Sequence, residues 1–298
     1  MKTVSCILMG GLGNQLFQIF ATMAYCIEHR IAFVFPYSEH LHFGIRRPTY
    51  WHSFLQKIVS FTTNNPANGY TNNQLTAFPR YREPGFHYTQ IPSFNATTPE
   101  VSLFGYYQSY KYFVQHEQKI YSMIQLDYHL SWVKLEYANW FYGAHTISIH
   151  FRLGDYKQNT NFHPIMSYDY YKNALDRLSE NPRADGQSTR VLYFCEQEDN
   201  AFVDGVIDRL RVIFNHIEFQ KVDDTIEDWK QMLIMSCCDD NIIANSSFSW
   251  WGAYLNPSKN KTVCYPSVWF GPGQKSATLD DLFPPQWTKV SNEPRRQN

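Results

Sequence analysis

Three stretches of the chain carry residue types that chemistry can use. The longest is 241–256, Asn-Ile-Ile-Ala-Asn-Ser-Ser-Phe-Ser-Trp-Trp-Gly-Ala-Tyr-Leu-Asn. A short apolar run breaks at Asn245, two serines follow, and a helical pattern begins at once. Such a strand delivers the hydroxyls of Ser246 and Ser247, with unpaired backbone N–H groups, to a helix start. The partial positive charge there suits phosphate. The plainer reading is that one serine caps the helix. The second stretch is 150–156, His-Phe-Arg-Leu-Gly-Asp-Tyr, where a strand over 146–151 ends. Ligands of open parallel sheets gather at carboxyl ends of strands. The planar fork of Arg152 suits a diphosphate, and Asp155 can orient it or take a proton. A structural Arg–Asp pair is the plainer alternative, and His150 reads as a packed histidine. The third stretch is 10–15, Gly-Gly-Leu-Gly-Asn-Gln, between a strand and a helix. Glycine there lets backbone come close to a ligand, which makes Gly13, Asn14 and Gln15 candidate contacts. It matches neither the dinucleotide fingerprint nor a Walker loop, and a tight turn explains it equally.

Two acidic groups join this set. Glu227 and Asp228 stand near the start of a helix, where a carboxylate complements the dipole. A carboxylate can also accept the two-donor edge of guanine. The stretch 194–199, Phe-Cys-Glu-Gln-Glu-Asp, clusters acids that can hold a divalent cation. No Asp-x-Asp occurs in the chain, so a solvated loop or ribose contacts are favoured over a metal site.

Positioning these residues requires strands that end where helices begin. Residues 3–9 read as a buried strand, and Leu16, Phe20, Met23, Ala24 and Ile27 repeat at helical spacing, with Asn14 able to cap that helix. Residues 31–35 read as a second strand. Residues 36–100 show weak periodicity, which predicts loops and short elements, and 101–140 read as helical. From 146 the chain alternates strictly. Strands are expected over 146–151, 191–195, 217–219, 241–244 and 262–265. Helices are expected over 168–178 (Ser167 as cap), 201–212, 227–237 and 249–255. The stretch 181–186 reads as a polar loop. Alternation of this kind argues for an α/β fold with a parallel sheet covered on both faces.

Bulk properties narrow the function classes. A chain of 298 residues exceeds the usual single core and predicts two domains. The divide is placed at 143/144, giving domains 1–143 and 144–298. Aromatic residues make up 17 %, which argues against disorder. With 26 basic and 27 acidic residues the net charge is -1, so no strong field exists to capture nucleic acid or an anionic membrane. The six cysteines fit neither a zinc pattern nor a disulfide framework and read as free buried thiols. The apolar start is a strand rather than a signal peptide, and no run reaches membrane-span length. A cytoplasmic location is therefore expected, and the sequons at Asn95, Asn245 and Asn260 carry no weight.

Taken together, 10–18, 150–156 and 241–253 resemble the motifs of the α-1,2-fucosyltransferase family (the glycosyltransferase family 11 type), within the wider α-1,2/α-1,6/protein-O-fucosyltransferase group. The resemblance covers residues 5 to about 288. It implies a GT-B architecture, two Rossmann-like domains facing an interdomain cleft. The carboxyl-terminal domain would bind GDP-fucose and the amino-terminal one would mainly hold a galactose-containing acceptor. It implies an inverting transfer of L-fucose to the 2-hydroxyl of a galactoside, without cofactor or essential metal, as in soluble bacterial-type or viral enzymes. By the same resemblance Arg152 holds the β-phosphate. Ser246, Ser247 and Phe248 line the diphosphate beside Asn245, Asn14 reaches the donor with Gly13 and Gln15, and His150 and Asp228 lie near guanine. Asp155 and His163 are the candidate bases. Two positions depart from the family: Phe194-Cys-Glu-Gln197 stands where Phe-Ser-Asp-Asp is frequent, and Asp240 where His is frequent. Another GDP-hexose as donor, or a non-catalytic nucleotide-sugar or glycan-binding module, are the alternatives.

Overall fold

The computed structural model describes residues 2–41, 45–94, 99–180, 187–274 and 277–295. The loop 181–186 and Asn95 lie outside the described residues. The chain divides into two compact units. One holds Met1–His129 with Ala277–Pro284, the other Leu130–Ser276 with Pro285–Asn298. The divide falls at 129/130, against the expected 143/144, and the helix Ala138–Phe141, which follows it, is bound to the second sheet.

The first unit opens with β1 (Thr3–Cys6), then α1 (Leu12–His29) and β2 (Ala32–Phe33). After a small hairpin of β3 (His40–Leu41) and β4 (Arg47–Pro48) come α2 (Asn72–Ala77), β5 (Arg80–Arg82), β6 (Glu100–Phe104) and α3 (Glu117–Ile124). Four strands form a parallel sheet in the order β2-β1-β6-β5. Helix α1 is apolar nearly all round, and Leu16, Phe17, Ile19, Phe20, Ala21 and Met23 are fully covered. That is the pattern of a helix buried inside its unit rather than laid on its surface. Phe113 closes over Phe17 and Phe20, with ring centroids at 6.1 and 5.5 Å. Strand β6 corrects the helical reading that began at residue 101.

Helix α4 (Leu126–Glu136) runs through the divide, and α5 (Ala138–Phe141) follows in the second unit. Arg190 donates to the carbonyls of Asn139 and Trp140 at 3.0 and 2.9 Å, which ties α5 to the sheet. There follow β7 (Ala144–His150), α6 (Tyr168–Ser179), β8 (Ser188–Phe194), α7 (Asn200–Ile213), β9 (Ile217–Lys221) and α8 (Asp228–Cys237). The last elements are β10 (Asp240–Ile242), α9 (Ser247–Tyr254), β11 (Val263–Pro266) and β12 (Thr288–Val290). Six strands run parallel in the order β12-β11-β10-β7-β8-β9. All seven residues of β7 are buried, as a central parallel strand requires. Ser167 caps α6 as expected, accepting from the Tyr170 N–H at 3.2 Å. The fold is α/β, with two Rossmann-like units as GT-B enzymes have.

Candidate functional site

In the second sheet the first strand of the unit, β7, lies between its second, β8, and its fourth, β10. Chain direction across the sheet reverses between β7 and β10, and a crevice opens at their carboxyl ends. Ile149 of β7 pairs with Ile242 of β10, so 150–156 and 243–248 leave the sheet side by side. The crevice is braced from α6. Tyr171 donates to the His150 carbonyl at 3.1 Å, and Tyr170 to the Ile243 and Cys264 carbonyls at 2.5 and 3.1 Å.

Arg152 stands at this edge with its side chain 17 % exposed. Its guanidinium pairs with Asp155 on one nitrogen and Glu196 on another, and lies 4.9 Å from the centre of the Tyr156 ring. Burial works against its charge, and the Glu196, Tyr156 and Asp155 oxygens more than reverse that, raising its pKa. The Tyr156 hydroxyl donates to the Asn245 carbonyl at 3.2 Å. Tyr156 therefore links the arginine segment to the serine segment. His163 stacks on the Tyr156 ring, with centroids 4.6 Å apart and planes at 19°. Burial lowers the His163 pKa; Asp155 opposes this and Arg152 adds to it. A neutral imidazole can accept a proton. His150 is buried, its ring centroid 5.4 Å from that of Phe248, and burial with the nearby Arg152 charge pushes its pKa down to about 3. Its Nδ1 has no partner among the described residues.

Ser246 is the N-cap of α9, accepting from the Phe248 N–H at 3.3 Å, so the capping role is real. Ser247 and Phe248 form the first turn and remain partly open to solvent. Asn245 is buried, and its Nδ2 donates to the carbonyls of Pro164 and Trp269 at 2.9 and 3.1 Å, while Oδ1 has no partner among the described residues. Asn241 and Asn256, which bound the motif, turn inward. Asn256 donates to Asn241 Oδ1 at 2.9 Å, and Asn241 donates to Ser148 Oγ at 2.7 Å. Much of this motif therefore holds β7, α8, β10 and α9 in place.

In the first unit Gly10 takes φ +77°, and α1 begins at Leu12 with Gly11 as N-cap. Asn14 is thus inside the first turn and not the cap. Gly13 is buried in the same turn. Gln15 is buried, and its Nε2 donates to the carbonyls of Gly10 and Pro48 at 3.0 and 2.9 Å. It braces the glycine turn. Gln18, unremarked in the sequence, makes a reciprocal pair with the backbone of Met9 at 2.8 and 3.2 Å. Asp228 opens α8 and accepts from the Trp229 N–H at 2.7 Å.

The acid stretch 194–199 gains partners that its sequence does not show. The Asp199 carboxylate is fully covered, accepts from the Gly154 N–H at 2.9 Å and pairs with Lys157. Glu196, Glu198 and Asp199 bring one oxygen each within 4.8 Å of one another. Two of the three are already paired with cationic side chains. The acids themselves are visible in the sequence; their partners Arg152, Gly154 and Lys157, far away in sequence, are not.

The chain belongs to glycosyl transferase family 11, whose model matches residues 7–291. It is similar to the O-antigen biosynthesis glycosyltransferase WbnK of Escherichia coli, 32 % identical over 146 residues. That aligned stretch spans 47 % of this chain and 44 % of WbnK, less than half of either. It is also similar to an α-1,2-colitosyltransferase of Escherichia coli, 25 % identical over 97 % of this chain and 99 % of that protein. Among solved structures it resembles Arabidopsis thaliana FUT1 in complex with GDP, at 11 % identity and TM-score 0.48, covering 91 % of this chain and 73 % of that one. No helix among the described residues is long and apolar enough to cross a membrane.

Proposed function

We propose that the protein transfers L-fucose from GDP-fucose to the 2-hydroxyl of a galactoside, with inversion and without a metal ion. The observation that carries this reading is the meeting, at the β7–β10 switch point, of the Arg152 segment with the start of α9. Breaking a sugar–phosphate bond leaves negative charge on GDP, and fixed donors must take it up. Arg152 offers a bidentate fork for the β-phosphate, released from Glu196 and Asp155 as phosphate replaces carboxylate. The first-turn N–H groups of α9, with Ser246, Ser247 and Phe248, add donors and a favourable dipole. Asn245 supports that turn. His150 and Asp228 are assigned to the nucleoside, and Gly13, Asn14 and Gln15 to the donor. Inversion needs a base on the acceptor hydroxyl. His163, whose burial disfavours the charged form, fits that task better than Asp155, which is tied to Arg152. Metal independence is supported by the ion pairs that Arg152 and Lys157 already make with Glu196 and Asp199.

The full-length likeness to a colitosyltransferase favours one second reading, a GDP-linked 3,6-dideoxyhexose as donor. Colitose lacks the 3-hydroxyl of L-fucose, so a panel of GDP-fucose, GDP-colitose and GDP-mannose separates the two. With lactose and N-acetyllactosamine as acceptors and EDTA present, GDP-fucose should give a product whose new linkage is α-1,2 by NMR. Preference for GDP-colitose establishes the second reading. GDP-sugar binding with no transfer to any acceptor leaves a binding module.

A further inference from the structure

We infer that Gln108 is a positioning residue whose amide fixes which face of Asn14 is presented to the donor; this deepens the reading that Asn14 touches the donor and rests on it. Asn14 lies in the first turn of α1, partly exposed on a helix that is otherwise almost wholly buried. Gln108 Nε2 donates to Asn14 Oδ1 at 2.7 Å. Asn14 Nδ2 makes no hydrogen bond among the described residues. An amide has one acceptor end and one donor end, so occupying the oxygen leaves the N–H₂ as the end able to donate to a phosphate or sugar oxygen. That N–H₂ lies beside Gly10, where the missing side chain leaves room for it. A Cβ built there would come within 2.5 Å of Nδ2, and φ +77° already favours glycine.

Gln108 is itself held from both sides. The preceding turn is locked by Glu83, whose Oε2 accepts from the N–H groups of Tyr106 and Tyr107 at 2.9 Å each. Tyr107 is buried at φ +53°, a strained conformation for a tyrosine that its surroundings must impose. On the following side Ser109 donates its hydroxyl to the Asp281 carbonyl at 2.6 Å, and Lys111 pairs with the Asp281 carboxylate. The loop after β6 therefore delivers one fixed donor to the glycine motif, from 94 residues away.

The test compares Gln108→Leu, Gln108→Glu, Asn14→Ala and the double variant Asn14→Ala/Gln108→Leu. Gln108→Leu removes one neutral hydrogen bond and should lower kcat about tenfold with little change in acceptor KM or melting temperature. Gln108→Glu accepts rather than donates, so Asn14 must turn its amide around, and the loss should be larger. In the Asn14→Ala background Gln108→Leu should cost nothing further, since it acts through Asn14. Additive losses, or a Gln108→Glu variant as active as the native protein, overturn the inference. If native Gln108 protein turns over no GDP-sugar, the functional reading has failed, and a readout without activity decides. The Asn14 side-chain amide signals, identified by their absence in Asn14→Ala, should move in Gln108→Glu by ¹H–¹⁵N NMR. Unmoved signals overturn the positional claim.

Discussion

At the scale of single residues, charge governs the account. Arg152 carries a rigid fork at the β7–β10 crevice, paired with Asp155 and Glu196, and the proposed reading assigns that fork to the leaving diphosphate. Replacing it by alanine should lower kcat by on the order of 10²–10³, as loss of a charge-stabilising donor does. Arg152→Lys should rescue little, because an ammonium cannot make both bonds at once. Steady-state GDP release checks both variants, and near-native turnover in Arg152→Ala removes the proposed role. His150 sets a second, pH-dependent expectation. Its folded pKa of about 3 lies below the unfolded value of ~6.5. Below pH 6.5 the unfolded chain binds the proton and the folded chain does not. Stability is therefore full above pH 6.5 and falls towards pH 3, by about 2 kcal/mol between pH 6.5 and 5 from this group alone. His129 and His163, also lowered by burial, act in the same direction. The urea midpoint should drop between pH 7.5 and 5, and His150→Asn should flatten that drop. An unchanged slope in the variant means that His150 is not held neutral.

At the scale of elements, the second half and the opening strand, helix and strand were legible, and the stretch after residue 100 was only partly so. Strands and helices from 144 onward follow the expected alternation to within a few residues, because short apolar runs alternate with longer stretches of helical periodicity. The exceptions are instructive. Strand β6, residues Glu-Val-Ser-Leu-Phe, is too short to show a period, and its pairing with β1 and β5 decides its state. Strand β12 has three residues and pairs only with β11. The run 241–256 advertised a site, yet Asn241, Asn256, Trp250 and Trp251 are buried scaffold. Gly252 shows why this run tolerates no larger residue. A Cβ there would sit 2.9 Å from Met235 Cβ, so α8 and α9 meet at this glycine. Gly252→Val should cost about 1–3 kcal/mol by overpacking, read as a lower melting temperature. By contrast Gly205 in α7 has open space around it, and Gly205→Ala should raise stability by roughly 0.5–1 kcal/mol. Equal effects at the two glycines would contradict this picture of the α8–α9 contact.

At the scale of the whole molecule, two Rossmann-like units and a family 11 match over residues 7–291 define the class of enzyme. The motifs identified the family, and sheet order explains two of them. Residues 150–156 and 241–253 flank one switch point, which no spacing in the sequence reveals. What remained hidden are contacts closed across long separations, such as Asn14 with Gln108 and Gly154 with Asp199. The most direct measurement is GDP release from GDP-fucose by the native protein, with EDTA present, with and without lactose. The account predicts release that lactose accelerates and EDTA leaves unchanged. Release that requires a divalent cation, or none with any GDP-sugar, contradicts it.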